Sequence, residues 1–281
     1  MIVSVSRRCD IPRFKFDWFM ERLNEGFTDT VNPFNAAQIK RVPLVPMKKE
    51  MKPEEGVDAF VFWTRDPSHI LANADELKDR GFPFYVMVSV TGYPGVLEPN
   101  QAAVPDVIKS MKELSRKIGS ERVIWRYDPV ILTSVTDDKF HYHSFKNISQ
   151  NLSGSVRRVI ISIFDEYQGA MKRLSALEKE GKFTIQDNNI NSDSFYGILL
   201  DLCECAKDAD MEIQSCAEEK HFDSCLKIKQ GACIDAALIE KICGVQIIRD
   251  KNQRPGCLCC KSVDIGAYGT CAARCAYCYA W

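Results

Sequence analysis

The chain alternates two patterns of apolar residues: short continuous runs, and longer segments in which apolar residues recur every three or four positions. Continuous runs are typical of buried strands, and the recurring pattern is typical of helices with one apolar face. The pattern predicts strands at residues 2–5, 59–63, 84–90, 123–125, 159–163 and 211–213. It predicts helices at residues 69–80 and 106–118, and the second is followed by Gly119, a residue suited to a helix C-cap.

The order of these elements indicates the fold class. Apolar strands that alternate with helices predict a parallel sheet covered by helices. Because no glycine-rich dinucleotide loop accompanies the strands, a barrel is favoured over a doubly wound open sheet. We therefore predict an α/β fold with a TIM-like (β/α) barrel, complete or partial, over residues 1–243. Residues 244–281 carry closely spaced Cys and Gly with few large apolar residues, which predicts a cysteine-rich tail over the barrel mouth.

Polar side chains follow several of the predicted strands. The carboxyl ends of barrel strands form one rim, where catalytic groups usually lie. The alternative is that these residues are simply solvated, because loops between strands and helices are wet. The residues that we predict to be catalytic on this basis are Arg8, Asp10, Arg126, Asp128 and Asp165.

Charge and composition narrow the classes of function. The 37 basic and 38 acidic side chains nearly cancel, which argues against binding to nucleic acid or to an anionic membrane. The N-terminal sequence lacks the pattern of a signal peptide, and no apolar run approaches the roughly 20 residues that span a bilayer. We expect a soluble, cytoplasmic protein.

The cysteines are concentrated at the end of the chain. Of the thirteen, one is Cys9 and the other twelve lie between Cys203 and Cys278. In a reducing compartment such clustered thiols bind metal or carry out redox chemistry more often than they form disulfides.

The last three cysteines form a recognisable motif. Cys271, Cys275 and Cys278 have the spacing C-x3-C-x2-C, and Tyr277 stands directly before the third. Three thiolates can hold three irons of a [4Fe–4S] cube and leave the fourth iron without a protein ligand. The motif is similar to the cluster loop of radical S-adenosylmethionine enzymes, in which that iron binds the cofactor. A zinc loop is the alternative, but zinc usually takes four ligands, and the fourth would come from Cys257, Cys259 or Cys260.

Other cysteines upstream are candidates for a second, auxiliary cluster. Four thiolates complete a closed [4Fe–4S] site, and the candidates are Cys216, Cys233, Cys257 and either Cys259 or Cys260. Alternatively, some of these are buried apolar cysteines. We expect a packing role, without metal binding, for the cysteines in helical, amphipathic surroundings, namely Cys203, Cys205, Cys225 and Cys243. Cys9 lies on the predicted rim without a nearby partner in the sequence.

Several motifs along the chain resemble the domain-of-unknown-function family DUF1848. They are Ser6-Arg-Arg-Cys-Asp-Ile-Pro12, Asn32-Pro-Phe-Asn35, Val61-Phe-Trp-Thr64, Thr91-Gly-Tyr-Pro94, Trp125-Arg-Tyr-Asp-Pro129, Gln214-Ser-Cys216, Gly231-Ala-Cys-Ile-Asp235, Ser262-Val-Asp-Ile-Gly266 and the terminal cysteine motif. The resemblance covers essentially the whole chain. It supports a cluster at the C-terminal cysteines and says little about the substrate.

The chain departs from radical S-adenosylmethionine enzymes in two ways. Their cluster loop normally follows the first strand, whereas here it comes last, and the Gly-Gly-Glu stretch that holds the methionyl amine is absent. We expect Asp10, Asp128 or Asp165 to replace that acid, and Arg8 or Arg126 to hold a carboxylate or phosphate. Together with Tyr277, Arg8 and Asp10 are the predicted cofactor-binding residues.

Three functions remain open from the sequence. The first is a radical S-adenosylmethionine enzyme with an auxiliary cluster, acting on an unknown substrate and reduced by a donor such as ferredoxin or flavodoxin. The second is a non-radical iron–sulfur enzyme, whose open iron serves sulfur transfer or Lewis-acid chemistry. The third is a zinc-stabilised binding protein without catalysis.

Overall fold

The structure is a computed structural model that describes residues 1–32, 35–188, 193–218, 226, 228–247, 250 and 253–280. Cys225 and the Pro33-Phe34 part of one family motif lie outside these residues. The described residues contain ten strands and eight helices. In chain order they are β1 (Ile2–Val5), α1 (Ile11–Phe14), α2 (Phe16–Glu25), β2 (Phe27–Asn32), β3 (Asn35–Pro43), β4 (Ala59–Thr64), α3 (Ser68–Asp79), β5 (Phe84–Ser89), α4 (Val104–Ile118), β6 (Val123–Val130), α5 (Asp138–Leu152), β7 (Arg158–Ile163), α6 (Gln168–Lys179), α7 (Asp193–Asp208), β8 (Glu212–Cys216), β9 (Lys229–Gly231), α8 (Ala236–Cys243) and β10 (Val263–Asp264).

Eight of the strands form one parallel sheet in the order β10-β1-β4-β5-β6-β7-β8-β9. From β1 to β9 the spatial order follows the chain order, so the sheet winds in one direction instead of reversing at a switch point. Within the described ranges, the edge strands β9 and β10 are not paired with each other. The predicted α/β class and parallel sheet are confirmed, and the closed barrel is not shown.

One face of the sheet packs against the long helices. Successive strand side chains point to opposite faces, and Phe60, Phe62 and Val86 join one core with residues of the surrounding helices. Phe19 of α2 makes edge-on ring contacts with both phenylalanines, at centroid distances of 5.3 and 5.5 Å. The helices α2, α3, α4, α5 and α7 contribute to this core.

The other face is covered by the cysteine-rich segment that follows β9. Val61, Trp63 and Met87 pack there against residues of α8 and against Cys233, Cys257, Cys259 and Cys260. Arg158 of β7 anchors this cover, because its guanidinium donates to Asp235, the N-cap of α8, at 2.5 Å. The cysteine-rich part of the chain is thus buried on this second face of the sheet.

The C-terminal cysteine loop lies at the carboxyl end of the sheet. Ala273, Cys275 and Tyr277 pack against Tyr93 and Ile131, which follow β5 and β6. The division into residues 1–243 and 244–281 stays a prediction, although β10 from the second part pairs with β1 in the first. The described helices include none with the length and apolar character needed to cross a membrane.

Candidate metal and cofactor site

A cavity of about 580 Å³ lies at the carboxyl end of the parallel strands. Its wall combines residues at or just after the ends of the strands with residues of the cysteine-rich segment. Every residue that the sequence proposed for the site lines it, namely Arg8, Asp10, Arg126, Asp128, Asp165, Tyr277, Cys216, Cys233, Cys257, Cys259, Cys271, Cys275 and Cys278. The roles assigned to these residues stay predictions.

The four upstream cysteines contact one another. The Sγ atoms of Cys216 and Cys233 are 3.1 Å apart. Cys259 shares thiol hydrogen bonds with Cys233 and Cys257, and these bonds lower the pKa of the Cys259 thiol because they stabilise its thiolate. Its Sγ also accepts from the backbone N–H of Ile234 at 3.3 Å. The contacts run in one chain from Cys216 through Cys233 and Cys259 to Cys257.

The neighbouring Cys260 is oriented differently. It is fully buried, it does not line the cavity, and its backbone N–H donates to the carbonyl of Ile234 at 3.0 Å. Burial raises the pKa of its thiol to about 12. Of the two alternatives that the sequence left open, the structure therefore places Cys259 with the other three thiols.

Among the described residues, no three His, Cys, Asp or Glu side chains form a group that could hold a single metal ion. The assignment of these thiols to an auxiliary cluster therefore stays a prediction. The ligands of such a cluster must be thiolates. The hydrogen bond between Cys216 and Cys233 lowers the pKa of Cys216 and raises the pKa of Cys233, and the charge of Arg126 acts to lower both.

The terminal cysteine loop is held by hydrogen bonds at its sulfur atoms and its backbone. Gln101 Nε2 donates to Cys275 Sγ at 3.5 Å, and the backbone N–H of Ala280 donates to Cys278 Sγ at 3.3 Å. Arg173 donates to the carbonyls of Ala276, at 3.1 Å, and Cys278. Burial raises the pKa of Cys275 to about 12, and the charges of Cys278 and Cys271 act in the same direction. The three cysteines belong to one packed cluster.

A buried carboxylate anchors the tyrosine of this loop. Glu98 is 3% exposed and accepts hydrogen bonds from Tyr277 Oη, the Arg65 guanidinium and, at 2.7 Å, Thr91 Oγ1. Arg65 Nη1 also donates to Tyr277 Oη at 3.1 Å. Because Tyr277 directly precedes Cys278, this network fixes one end of the cysteine motif.

Arg126 and Asp128, which are both predicted to be catalytic, lie on β6 in the cavity wall. Arg126 forms an ion pair with Asp128, and Asp128 Oδ1 accepts from Ser162 Oγ at 2.7 Å. Asp165 differs from this pair, because its side chain is 54% exposed and pairs with Arg254 at 2.8 Å. Asp165 is thus a more exposed part of the cavity wall than the other predicted acids.

A comparison with models of protein families identifies the family of the chain. The model described as "Domain of unknown function (DUF1848)" matches residues 2–280. The chain belongs to the DUF1848 family. A search of curated proteins finds no match. The family resemblance inferred from the motifs is therefore confirmed, and it assigns no activity.

The sequence assigned no site role to Arg65 or Glu98 of this DUF1848 protein. Arg65 directly follows β4 and is one of the polar residues that the sequence places on the rim, but no pattern distinguishes it from its neighbours. Glu98 lies in the loop between β5 and α4 and carries no spacing signal, so only the fold brings it to Tyr277. Cys9, which the sequence also places on the rim, lines the same cavity. Burial is the main cause of its raised pKa, and the charge of Cys271 contributes.

Asp10 gives a pH-dependent test of the buried site. Burial raises the pKa of Asp10 from 3.8 to about 6, although the backbone N–H groups of Arg65 and Arg13 donate to it. The folded state therefore binds this proton more tightly than the unfolded state does. Protonated Asp10 makes its full contribution to the free energy of unfolding below about pH 4. That contribution, roughly 3 kcal/mol at most, is lost as the pH rises through about 6.

Asp10→Asn isolates this effect, because asparagine still caps α1 but does not titrate. Urea unfolding of both proteins at several pH values measures the difference in the free energy of unfolding. We expect wild type to lose stability relative to Asp10→Asn as the pH rises from about 4 to about 7. A difference that stays constant across this range would contradict the raised pKa.

Proposed function

We propose that this DUF1848 protein is a redox enzyme with two [4Fe–4S] clusters in the wall of one cavity, one of which binds S-adenosylmethionine. The observation that carries the proposal is the convergence of two separate cysteine groups, Cys216 to Cys259 and Cys271 to Cys278, on that cavity. The first group supplies four thiols and the second supplies three. This difference corresponds to one closed cluster and one cluster with an open iron.

The three-cysteine group is proposed to hold the catalytic cluster. When bound there, the cluster and S-adenosylmethionine supply reductive cleavage of the cofactor's sulfonium. The protein's own part is positioning: Gln101 and the Ala280 N–H donate to the ligand sulfurs, and such contacts tune a cluster's potential. Arg8 and Asp10 are proposed to bind the cofactor, since both line the cavity with the cysteine loop.

The four-cysteine group is proposed to hold the auxiliary cluster. Cys216, Cys233, Cys257 and Cys259 are the ligands that we assign, and the cluster passes electrons or holds substrate. We further propose a cytoplasmic location and a ferredoxin- or flavodoxin-type donor. The twelve described cysteines are all free thiols.

We also propose that the sheet closes into a TIM-like barrel. Seven of the eight parallel strands are wound in chain order, and β10 lies beside β1, where the last strand of such a barrel would lie. The candidate site at the carboxyl ends of the strands agrees with this proposal, because barrel enzymes place their chemistry at that end.

One observation favours a second candidate, the non-radical iron–sulfur enzyme. Two acids of the site are already engaged, because Glu98 pairs with Arg65 and Asp10 accepts two backbone N–H groups. This leaves fewer acceptor positions for the methionyl amine. In the non-radical enzyme, an open iron held by the three-cysteine group would bind sulfide or the substrate directly.

Cleavage of S-adenosylmethionine separates the two candidates. The reconstituted protein is reduced anaerobically with S-adenosylmethionine, and 5′-deoxyadenosine is quantified by chromatography. The proposed function predicts 5′-deoxyadenosine above the level formed by reductant alone. A fully loaded protein that forms none would exclude the radical mechanism and leave the second candidate.

A matched pair of variants tests the auxiliary site. Cys259→Ser is expected to lose about four irons per chain, because one ligand of the closed cluster is missing. Cys260→Ser is expected to retain the wild-type iron content, because Cys260 does not line the cavity with the other thiols. Iron and sulfide analysis of both reconstituted proteins makes the comparison. Equal iron contents in the two variants would contradict the assignment.

A further inference from the structure

Three side chains in the cavity wall have N–H groups that find no acceptor among the described residues. They are Arg7, Arg126 and Trp63, and all three line the cavity. Both guanidinium groups lie over the Trp63 indole, at 6.0 Å for Arg7 and 4.8 Å for Arg126, measured from the guanidinium carbon to the ring centroid. The three side chains therefore form one cluster.

Arg7 has no acceptor for its guanidinium within the described part of the chain. Its nearest acid is Asp264, whose carboxylate lies 3.9 Å from Arg7 Nε. That carboxylate already accepts from Ser4 Oγ, Ser6 Oγ and the backbone N–H groups of Arg7 and Gly266, at 2.6–2.9 Å. A carboxylate offers about four acceptor positions, so the hydrogen-bonding capacity of Asp264 is filled. The N–H groups of the Arg7 guanidinium therefore stay available to a ligand.

The other two side chains also have unused N–H groups. Arg126 pairs with Asp128 and lies 3.4 Å from Ser89 Oγ, but its Nε is buried and has no partner among the described residues. Trp63 is 7% exposed, and its Nε1 is likewise buried without a partner there. Leaving a buried donor unpaired costs about 1–3 kcal/mol, so a ligand that accepts from these groups stabilises the site.

We infer that Arg7, Arg126 and Trp63 bind an anionic group of the enzyme's substrate, a carboxylate or a phosphate. Planar guanidinium groups recognise both anions by paired hydrogen bonds. The inference deepens the proposed function by naming a substrate class. It also gives the anion a position: Trp63 packs in one cluster with Cys233, Cys257 and Cys259, so the anion lies on the auxiliary side of the cavity.

The test is anaerobic titration calorimetry of the reconstituted full chain with saturating S-adenosylmethionine. Inorganic phosphate and acetate are the two probes, and chloride at equal ionic strength is the blank. Wild type is expected to bind one of the probes saturably, and the tighter probe identifies the anion. Arg7→Gln is expected to weaken that binding about 10- to 100-fold, and Trp63→Phe about 10-fold.

Arg157→Gln is the matched control, because Arg157 pairs with Asp210 on the surface and does not line the cavity. It is expected to bind the probe as wild type does. Iron content and circular dichroism of Arg7→Gln report whether the variant is folded and loaded. Both should match wild type, because the Arg7 guanidinium donates no hydrogen bond to the described residues.

Three results would overturn the inference. In the first, neither probe binds wild type saturably. In the second, the anion displaces S-adenosylmethionine. In the third, Arg7→Gln binds the anion as tightly as wild type does, but the potential of its cluster is shifted. The last result would mean that Arg7 only balances the charge of the auxiliary cluster. A protein that binds the anion but forms no 5′-deoxyadenosine would support the anion site and refute the radical mechanism. Failure of the anion site and failure of the proposed function therefore give different results.

Discussion

Cys275→Ser is expected to abolish formation of 5′-deoxyadenosine while leaving about four of eight irons in the protein. Serine does not replace a thiolate in this site, and two remaining thiols do not retain a cube whose third ligand is lost. The auxiliary thiols are untouched, because Cys275 is not part of the contacts that run from Cys216 to Cys257. Product chromatography and iron analysis of the same sample give both readouts.

Cys243→Ser is the control for this variant. Cys243 ends α8, and its Sγ donates to the carbonyl of Ile239 at 3.0 Å, a bond that a serine hydroxyl can also make. It is expected to retain both product formation and iron content. If Cys275→Ser formed product at the wild-type rate, the three-cysteine loop would not be the site of cofactor cleavage.

Glu98→Ala is expected to lower the free energy of unfolding by about 3–5 kcal/mol, because it leaves the buried charge of Arg65 unpaired. The side chains of Arg65 and Glu98 are only 11% and 2% exposed. The variant also removes the acceptor that holds Tyr277, so a lower iron content at the adjacent cysteines is expected. Anaerobic urea unfolding followed by circular dichroism measures the loss.

Glu76→Ala provides the comparison on the surface. Glu76 pairs with Arg80 one turn away on α3, with side-chain exposures of 45% and 32%. Exposed pairs of this kind contribute about 0–1 kcal/mol. The double variant Glu98→Gln, Arg65→Met removes both buried charges and is expected to recover part of the loss. Equal costs for Glu98→Ala and Glu76→Ala would show that the buried pair has no special role.

The strands of the parallel sheet could be predicted because their signal is local. Runs such as Ala59–Thr64 are buried at every position, so hydrophobic residues alone mark them. The hairpin of β2 and β3 was not predicted. Its inward positions in β2 are Thr28 and Thr30, and Val31 on its outward side is exposed. The usual alternation of apolar and polar residues is therefore inverted there.

The sequence predicts the residue types of the candidate site, but only part of its geometry. Spacing identified the cysteines, but adjacent Cys259 and Cys260 are equivalent in the sequence. Only the fold distinguishes them, because Cys259 lines the cavity and Cys260 does not. Glu98 was missed because its role depends on a contact with Tyr277, 179 positions away. Long-range contacts of this kind leave no periodic signal in one sequence.

The central claim is that seven cysteines hold two clusters around one cavity. Its most direct test is the iron and acid-labile sulfide content of the anaerobically reconstituted wild-type chain, with zinc measured in the same sample. The account predicts about eight irons and about eight sulfides per chain, no stoichiometric zinc and a brown protein. A colourless protein with stoichiometric zinc, or one that retains only about four irons, would contradict it.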